Sequence, residues 1–203
     1  MTSQQRTVLV ATTNQGKAQE YQAMLAGLPY RFVSLRDVGI TQQVEETGDT
    51  IPDNAVLKAK GYAAMSGLLT LADDSGLEVD ALGGEPGVRS ARYGDRATDE
   101  DRNRYLLSNL AGVPEEKRQA RFRCVIAIAT PAGQVETSEG VCEGSIVRAP
   151  RGDKGFGYDP LFLVAGDSRT MGELPMVEKN RISHRGRAME GARAILARMA
   201  ARQ

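Results

Sequence analysis

The chain has 203 residues, 41% of them hydrophobic, which is enough for one domain or for two closely packed lobes that share a core. Lysine plus arginine and aspartate plus glutamate number 26 each, so the formal charge of zero excludes a general attraction to nucleic acid or to an anionic membrane. Two cysteines are too few for a disulfide scaffold, and the polar start Met1–Arg6 and the lack of an apolar run of about 18 residues predict a cytoplasmic protein without a membrane anchor.

Strands and helices alternate along the first part of the chain. The predicted elements are a buried strand over 7–12, a helix over 17–25 after a turn at Asn14 and Gly16, a strand over 31–35, a helix over 51–66 with Asp49 or Asp53 near its start, and a strand over 69–72 that ends in an acidic turn at 73–76.

The second part adds a hairpin to this pattern. The predicted elements are glycine-rich loops over 83–94 and 148–160, a helix over 99–110, a hairpin of strands 120–129 and 134–143 closed at 131–133, and a final helix over 183–202. The alternation of strands and helices predicts an α/β protein with a hairpin that extends from the main sheet.

A first candidate site lies where the first strand meets the first helix, at Thr12, Thr13, Asn14, Gln15, Gly16 and Lys17. The N-terminus of a helix offers free backbone N–H groups and the positive end of its dipole to an anion. Gly16 allows a close approach to the backbone and Lys17 adds a full charge, so we predict a phosphate cradle, although the spacing is not that of a P-loop. The alternative is an ordinary strand-to-helix turn with a surface lysine.

A second candidate is acidic and combines Glu45-Glu46, ahead of the second helix, with Asp73-Asp74, at the predicted end of a strand. Sites in open α/β sheets lie beyond the carboxyl ends of strands. Two carboxylates from separate segments suit Mg²⁺, which takes its other ligands from water and phosphate. A further carboxylate can accept a proton from an attacking water. The alternative is that these groups cap a turn or face solvent.

The remaining candidates are the loop Phe156-Gly157-Tyr158-Asp159 and the polar residues Lys179, His184 and Arg185. An aromatic ring in a glycine-rich loop can stack on a base. The three polar residues supply several donors, which suit phosphate or a base rich in carbonyl groups. The alternatives are a loop packed under the core and a single histidine with a structural role.

These segments, in this order, resemble the inosine triphosphate pyrophosphatase family over residues 7 to 200 or so. The resemblance rests on Thr12-x-Asn14-x-x-Lys17, Glu45-Glu46-Thr47-Gly48, Asn54-Ala55-x-x-Lys58-Ala59, Ala72-Asp73-Asp74-Ser75-Gly76-Leu77, Ser90-Ala91-Arg92-Tyr93, Gly155-Phe156-Gly157-Tyr158-Asp159-Pro160 and Ser183-His184-Arg185-Gly186. No single motif is decisive, but their order and spacing together are specific. Thr13 departs from the pattern, since family members commonly have glycine there, and threonine would be strained if the position required a positive φ.

The resemblance implies an α/β fold that is elongated and two-lobed, with a central mixed β-sheet flanked by helices and a substrate cleft between the lobes. Residues 1–203 would form one domain, usually assembled as a homodimer. The implied activity is the Mg²⁺-dependent hydrolysis of inosine triphosphate (ITP), dITP and XTP to the monophosphate and pyrophosphate, which removes deaminated purines from the nucleotide pool.

Position by position, the resemblance implies that Asp74 is the proton acceptor and a metal ligand. It implies that Glu45 is the other metal carboxylate, although the pair Glu45-Glu46 leaves the choice open. The remaining implied contacts are residues 12–17, Lys58 and Ser75 for the triphosphate, and Phe156, Gly157, Tyr158, Asp159, Lys179, His184 and Arg185 for the base and sugar.

Two rival interpretations stay open. One is a pyrophosphatase for other modified nucleotides, such as modified pyrimidines. The other is a non-catalytic nucleotide-binding module, against which the carboxylates of Glu45 and Asp74 argue, because they would repel a polyanion unless a metal ion lay between.

Overall fold

Six strands form a single mixed sheet in this computed structural model, which describes residues 5–201. The strands are β1 (Arg6–Val10), β2 (Tyr30–Ser34), β3 (Leu69–Val79), β4 (Gln119–Ala129), β5 (Val135–Ile146) and β6 (Phe162–Val164), and their order in the sheet is β2-β1-β3-β4-β5-β6. β1 pairs in parallel with β2 and with β3, whereas β5 and β6 are antiparallel. The mixed α/β architecture expected from the sequence is confirmed.

Five α-helices accompany the sheet within the described residues. They are α1 (Gln15–Met24), α2 (Ile51–Ser66), α3 (Asp99–Asn109), α4 (Met176–Ile182) and α5 (His184–Ala201). None of them is both long and apolar enough to cross a bilayer. The last residue of the predicted final helix, Arg202, lies outside the described part of the chain.

The chain divides into two compact units, each with its own internal contacts. Unit 1 comprises residues up to 74, 125–139 and those from 187 on, and unit 2 comprises 75–124 and 140–186. β3, β4 and β5 each contribute residues to both units. The one-domain organisation and the substrate cleft stay predictions.

Helix α2 of unit 1 has the predicted bounds because both of its ends carry local signals. The Thr50 side chain accepts a hydrogen bond from the Asp53 backbone N–H at 3.2 Å, which caps the first turn. Gly67 ends the helix in the left-handed region, with φ of 67°. The buried face, which includes Ala55, Ala59 and Ala63, is made of small residues that allow close packing.

Unit 2 is built around an apolar cluster and one buried arginine. The cluster includes Leu77, Leu106 and Phe162, all 0% exposed. The Arg118 guanidinium is enclosed as well and donates to the carbonyl oxygens of Ile146 and Leu110, at 2.9 and 3.0 Å. These bonds satisfy a charged group that would otherwise be costly to bury.

The predicted end of the third strand at Ala72 is wrong. β3 continues through the Asp73-Asp74-Ser75-Gly76 segment to Val79, so both aspartates lie within a strand and not in a turn after it. A Cβ on Gly76 would come within 2.3 Å of the Gly87 oxygen, which explains a glycine at this point of the strand. The turn-forming composition of the segment is overridden because the strand is buried on both sides here.

The structure also decides several smaller predictions. The predicted loop over 83–94 contains 3₁₀ turns from Gly87 to Asp95, and strand β6 and helix α4 are too short for their patterns to be recognised in the sequence. Asp95 is the one residue other than glycine with a positive φ among the described residues, so Thr13 is not strained. The predicted hairpin is confirmed, with Thr130 donating to the Gln134 carbonyl at 2.9 Å.

Candidate active site

The turn before α1 has the geometry of an N-terminal helix cap. The Asn14 side chain accepts a hydrogen bond from the Lys17 N–H at 3.0 Å, and the Asn14 N–H donates to the Thr12 hydroxyl at 3.2 Å. Gln15 and Gly16 occupy the first two helical positions, whose N–H groups have no carbonyl partner inside the helix. These N–H groups and the helix dipole favour an anion at this end of α1.

Two lysines contact the neighbouring aspartates of β3. Lys17 Nζ lies 2.8 Å from Asp73 Oδ2, and Lys58 Nζ lies 3.0 Å from Asp74 Oδ1. The two pairs are close to each other, since the charge of Asp73 also acts on Lys58 and that of Lys17 also acts on Asp74. The structure thus brings Lys17, Lys58 and Asp74, which the sequence predicted, together with Asp73 in unit 1.

Lys58 also reaches a third carboxylate. Its Nζ lies 2.9 Å from Glu46 Oε1, so one ammonium joins the loop before α2 to β3. Burial by itself lowers the pKa of Lys58, but attraction to Asp73, Asp74 and Glu46 outweighs it and raises that pKa above its ordinary value. Lys58 is therefore a permanent cation at any physiological pH.

The two oxygens of Asp74 have different surroundings. Its Oδ1 accepts from Lys58, whereas Oδ2 is buried and has no hydrogen-bond partner among residues 5–201. Burial raises the pKa of Asp74, and the charges of Lys58 and Lys17 oppose that rise. A buried carboxylate oxygen without a partner is costly, so Oδ2 is suited to bind an atom from outside the chain.

The Glu45-Glu46 loop is held in place from α2. The Gly48 N–H donates to the Asn54 side-chain oxygen at 2.8 Å, and a Cβ on Gly48 would lie 2.7 Å from the Asp53 Cβ. With the loop in this position, Glu46 is partly buried and reaches Lys58, while Glu45 is exposed. The structure therefore places Glu46, and not Glu45, beside Lys58, which also contacts Asp74.

The described residues contain no group of three or more histidine, cysteine, aspartate or glutamate side chains that could enclose a metal ion. Magnesium does not need one, since it commonly takes one or two protein carboxylates and fills its other positions with water and phosphate. The carboxylates of Asp74 and Glu46 fit that requirement, since both contact Lys58. Ser75, the next residue of β3, is partly buried.

Unit 2 holds a second cluster around Phe156. The ring of Phe156 lies 4.9 Å from Lys179 Nζ and 4.8 Å from the Arg185 guanidinium carbon. Asp159 Oδ2 contacts Lys179 Nζ at 2.6 Å and accepts from the Phe156 N–H at 2.9 Å. Burial raises the pKa of Asp159, and the ammonium of Lys179 opposes that rise. Two cations and one carboxylate leave this cluster positive.

Tyr158 and His184 have different surroundings from Phe156. Tyr158 belongs to the apolar core of unit 2, and its hydroxyl donates to the Ser90 carbonyl at 2.9 Å. The His184 ring is buried and stacks on Phe122, with centroids 4.6 Å apart. Of the two aromatic residues in the loop, Phe156 is therefore the one whose ring lies among charged groups.

The sequence reasoning missed several residues that support these clusters. Asp73 was recognised only as part of an acidic pair, and Asp99 and Asn103 of α3 were interpreted as ordinary helix residues. Asp99 and Asn103 both bond to the backbone of Gly157. Their separation of four residues places them on one helix face, but nothing in the sequence shows what that face contacts.

Comparison with known proteins gives concordant matches over nearly the whole chain. The model of the Ham1 family matches residues 8–195. A dITP/XTP pyrophosphatase from Bacillus licheniformis is 50% identical over 190 residues, which cover 93% of this chain and 97% of that protein. One from Desulforamulus reducens is 51% identical over 193 residues, with 95% and 96% covered.

Solved structures agree with these sequence matches. The structure of a HAM1 protein from Coxiella burnetii superimposes with a TM-score of 0.86 at 41% identity, covering 95% of this chain and 99% of that one. The Ham1 protein of Staphylococcus aureus gives a TM-score of 0.85 at 36% identity, with 96% and 100% covered.

Proposed function

Since the chain belongs to the Ham1 family, we propose that it hydrolyses ITP, dITP and XTP to the nucleoside monophosphate and pyrophosphate. The resemblance found in its motifs is confirmed by relatives at about half identity that are dITP/XTP pyrophosphatases. The observation that carries the proposal in the structure is the buried Asp74 carboxylate, with one oxygen on Lys58 and the other free of any hydrogen bond within residues 5–201.

Asp74 supplies the proton acceptor of the reaction. The oxygen of a water molecule forms a bond to the α-phosphorus, the bond from that phosphorus to the bridging oxygen of the β-phosphate breaks, and pyrophosphate leaves. The water gives up a proton to the Asp74 carboxylate, whose Oδ2 has no hydrogen-bond partner within residues 5–201.

The remaining residues of unit 1 neutralise charge on the triphosphate. Lys17, Lys58 and the N–H groups at the start of α1 provide cations and donors for the phosphate oxygens. Phosphoryl transfer depends mainly on such positioning and charge compensation, and needs no covalent nucleophile. Mg²⁺, held by Asp74 and one of the two adjacent glutamates, would supply further neutralisation of the phosphate oxygens.

The Phe156 cluster of unit 2 is suited to the purine. We propose that the Phe156 ring stacks on the base, as aromatic side chains commonly do with nucleobases. Lys179, His184 and Arg185 line the base and sugar, and Arg185 in particular can only donate hydrogen bonds. Its donors match the 6-oxo group that inosine and xanthosine nucleotides share.

A substrate panel tests the function directly. We expect the purified chain, with Mg²⁺, to convert ITP, dITP and XTP to monophosphate with one pyrophosphate released per turnover, and to act weakly on ATP and GTP. Pyrophosphate and orthophosphate are measured separately, and a chelator provides the control. Preferred turnover of modified pyrimidine nucleotides would favour the rival substrate class, and binding without any release would favour a non-catalytic module.

We further propose Glu46 in place of Glu45 as the second metal carboxylate, because Glu46 shares Lys58 with Asp74. Glu46→Gln is expected to lower activity about 10- to 100-fold and to raise the Mg²⁺ concentration needed for half-maximal rate. Glu45→Gln is the matched control, since it removes the adjacent exposed charge, and we expect it to stay within about twofold of the unaltered chain.

The measurement is the initial rate on ITP as a function of Mg²⁺ concentration for both variants. A large loss in Glu45→Gln together with a normal Mg²⁺ requirement in Glu46→Gln would restore the original sequence-based choice. Homodimeric assembly rests on the family resemblance and a cytoplasmic location on the composition of the sequence, and both remain proposals.

A further inference from the structure

The first two turns of α3 hold the peptide groups on both sides of Gly157. Asp99 Oδ2 accepts a hydrogen bond from the Gly157 N–H at 2.7 Å. Asn103 Nδ2 donates to the Gly157 carbonyl oxygen at 3.0 Å. The two side chains are four residues apart, so they leave the helix on one face and grip a single residue of the loop in unit 2.

Gly157 has a backbone conformation that favours glycine. Its φ is 62°, in the left-handed region, and apart from its two chain neighbours none of the described residues has a heavy atom within 4 Å of the place where a Cβ would stand. The positive φ, and not a lack of space, therefore accounts for glycine at this position. The two hydrogen bonds from α3 fix the Gly157 peptide groups directly, next to the turn in which the Phe156 N–H donates to Asp159.

The conformation of Gly157 sets how its two neighbours are placed relative to each other. On one side, the Tyr158 ring is fixed in the core and its hydroxyl is bonded to Ser90. On the other side is Phe156, whose ring lies against Lys179 and Arg185. A rotation at Gly157 would leave Tyr158 in place and displace Phe156 from the two cations.

The contact between Asn103 and Gly157 leaves the other polar atom of the Asn103 side chain without a hydrogen bond. The residue is 8% exposed, its Nδ2 bonds to Gly157, and its Oδ1 is buried without a hydrogen-bond partner among residues 5–201. A buried acceptor without a partner destabilises a fold, so an apolar side chain would suit this position better if packing were its only role.

We propose that Asp99 and Asn103 are positioning residues for the purine half of the site. They hold the Gly157 peptide so that the Phe156 ring stays against Lys179 and Arg185, ready to stack on the base. The inference rests on the proposed function, because that function gives Phe156 its role. Neither residue touches the substrate itself.

The test compares substitutions of Asp99 and Asn103, on the face of α3 that contacts Gly157, with one on the exposed face of the same helix. Asn103→Leu keeps the bulk and removes the donor, and Asp99→Ala removes the acceptor. Asp99→Asn keeps an oxygen that can accept from Gly157 and serves as the conservative rescue. Glu100→Ala is the control, because the Glu100 side chain is 87% exposed and pairs with Arg104 on the helix surface.

Two measurements separate positioning from general damage. For Asn103→Leu and Asp99→Ala we expect KM for ITP to rise about tenfold with kcat changed much less, because a misplaced ring weakens ground state and transition state alike. Binding of inosine monophosphate should weaken by a similar factor, while pyrophosphate binding, which depends on the lysines of unit 1, stays unchanged. Asp99→Asn and Glu100→Ala should match the unaltered chain.

Unchanged KM and monophosphate affinity in Asn103→Leu and Asp99→Ala would overturn the inference. So would an equal loss of monophosphate and pyrophosphate binding, since that pattern indicates a general disturbance of the fold. If the unaltered chain binds inosine monophosphate but releases no pyrophosphate from ITP, the proposed hydrolysis fails alone, and the monophosphate arm still decides the roles of Asp99 and Asn103.

Discussion

Asp74→Asn is expected to fold normally and to hydrolyse ITP roughly 1,000-fold more slowly than the unaltered chain, because an amide cannot accept the proton of the attacking water. The same change removes the negative charge that Asp74 would contribute to a metal site. Asparagine has nearly the shape of aspartate, and its oxygen can still accept from Lys58, which also retains Glu46 at 2.9 Å. The loss should therefore appear in kcat and not in stability.

The stability expectation follows from the pKa of Asp74. Burial raises that pKa, so the ionised carboxylate is disfavoured in the folded chain relative to the unfolded one, and a neutral amide removes this cost. The measurements are kcat/KM from pyrophosphate release and the midpoint of thermal unfolding. Asp73→Asn is the matched control. Asp73 is the adjacent residue and contacts Lys17, so we expect this substitution to lower kcat/KM less than Asp74→Asn does. Near-normal turnover by a folded Asp74→Asn chain would remove Asp74 from its role.

Arg185→Ala is expected to lower kcat/KM for ITP about 100-fold and to narrow the preference for ITP over ATP. ITP presents an acceptor, O6, where ATP presents an amino donor. The Arg185 guanidinium can only donate, so it would satisfy O6 and leave adenine with donor against donor. Because Arg185 is buried beside Phe156, water does not relieve such a mismatch.

The companion variant separates selectivity from stacking. Phe156→Leu keeps an apolar side chain but removes the aromatic ring, and it should weaken ITP and ATP about equally, since every base has a face on which a ring can stack. The measurement is kcat/KM for both nucleotides with each variant. If the ratio of kcat/KM for ITP to that for ATP is unchanged in Arg185→Ala, residues other than Arg185 determine the selectivity.

GTP also carries O6, so its rejection needs a further element near its N2 amino group.

Local signals account for the parts of the fold that were predicted well. Helix α2 has its predicted bounds because a capping threonine and a terminal glycine mark its ends within a few residues. The hairpin was predicted because two segments with the composition of strands flank the short turn at 131–133. β3 was predicted too short because Asp-Asp-Ser-Gly has the composition of a turn, whereas in the structure this segment is a mostly buried part of the strand.

By itself, the sequence determined the α/β class, most helices and strands, the family, and the residue types available for catalysis. The tertiary structure alone decided which of them meet. It placed Glu46 and not Glu45 on Lys58, kept Phe156 among cations while burying Tyr158, and set Asp99 and Asn103 against Gly157. The physical reason is distance along the chain: the periods of helices and strands reveal the faces of single elements, whereas the Lys58–Asp74 and Asp99–Gly157 contacts join residues 16 and 58 positions apart.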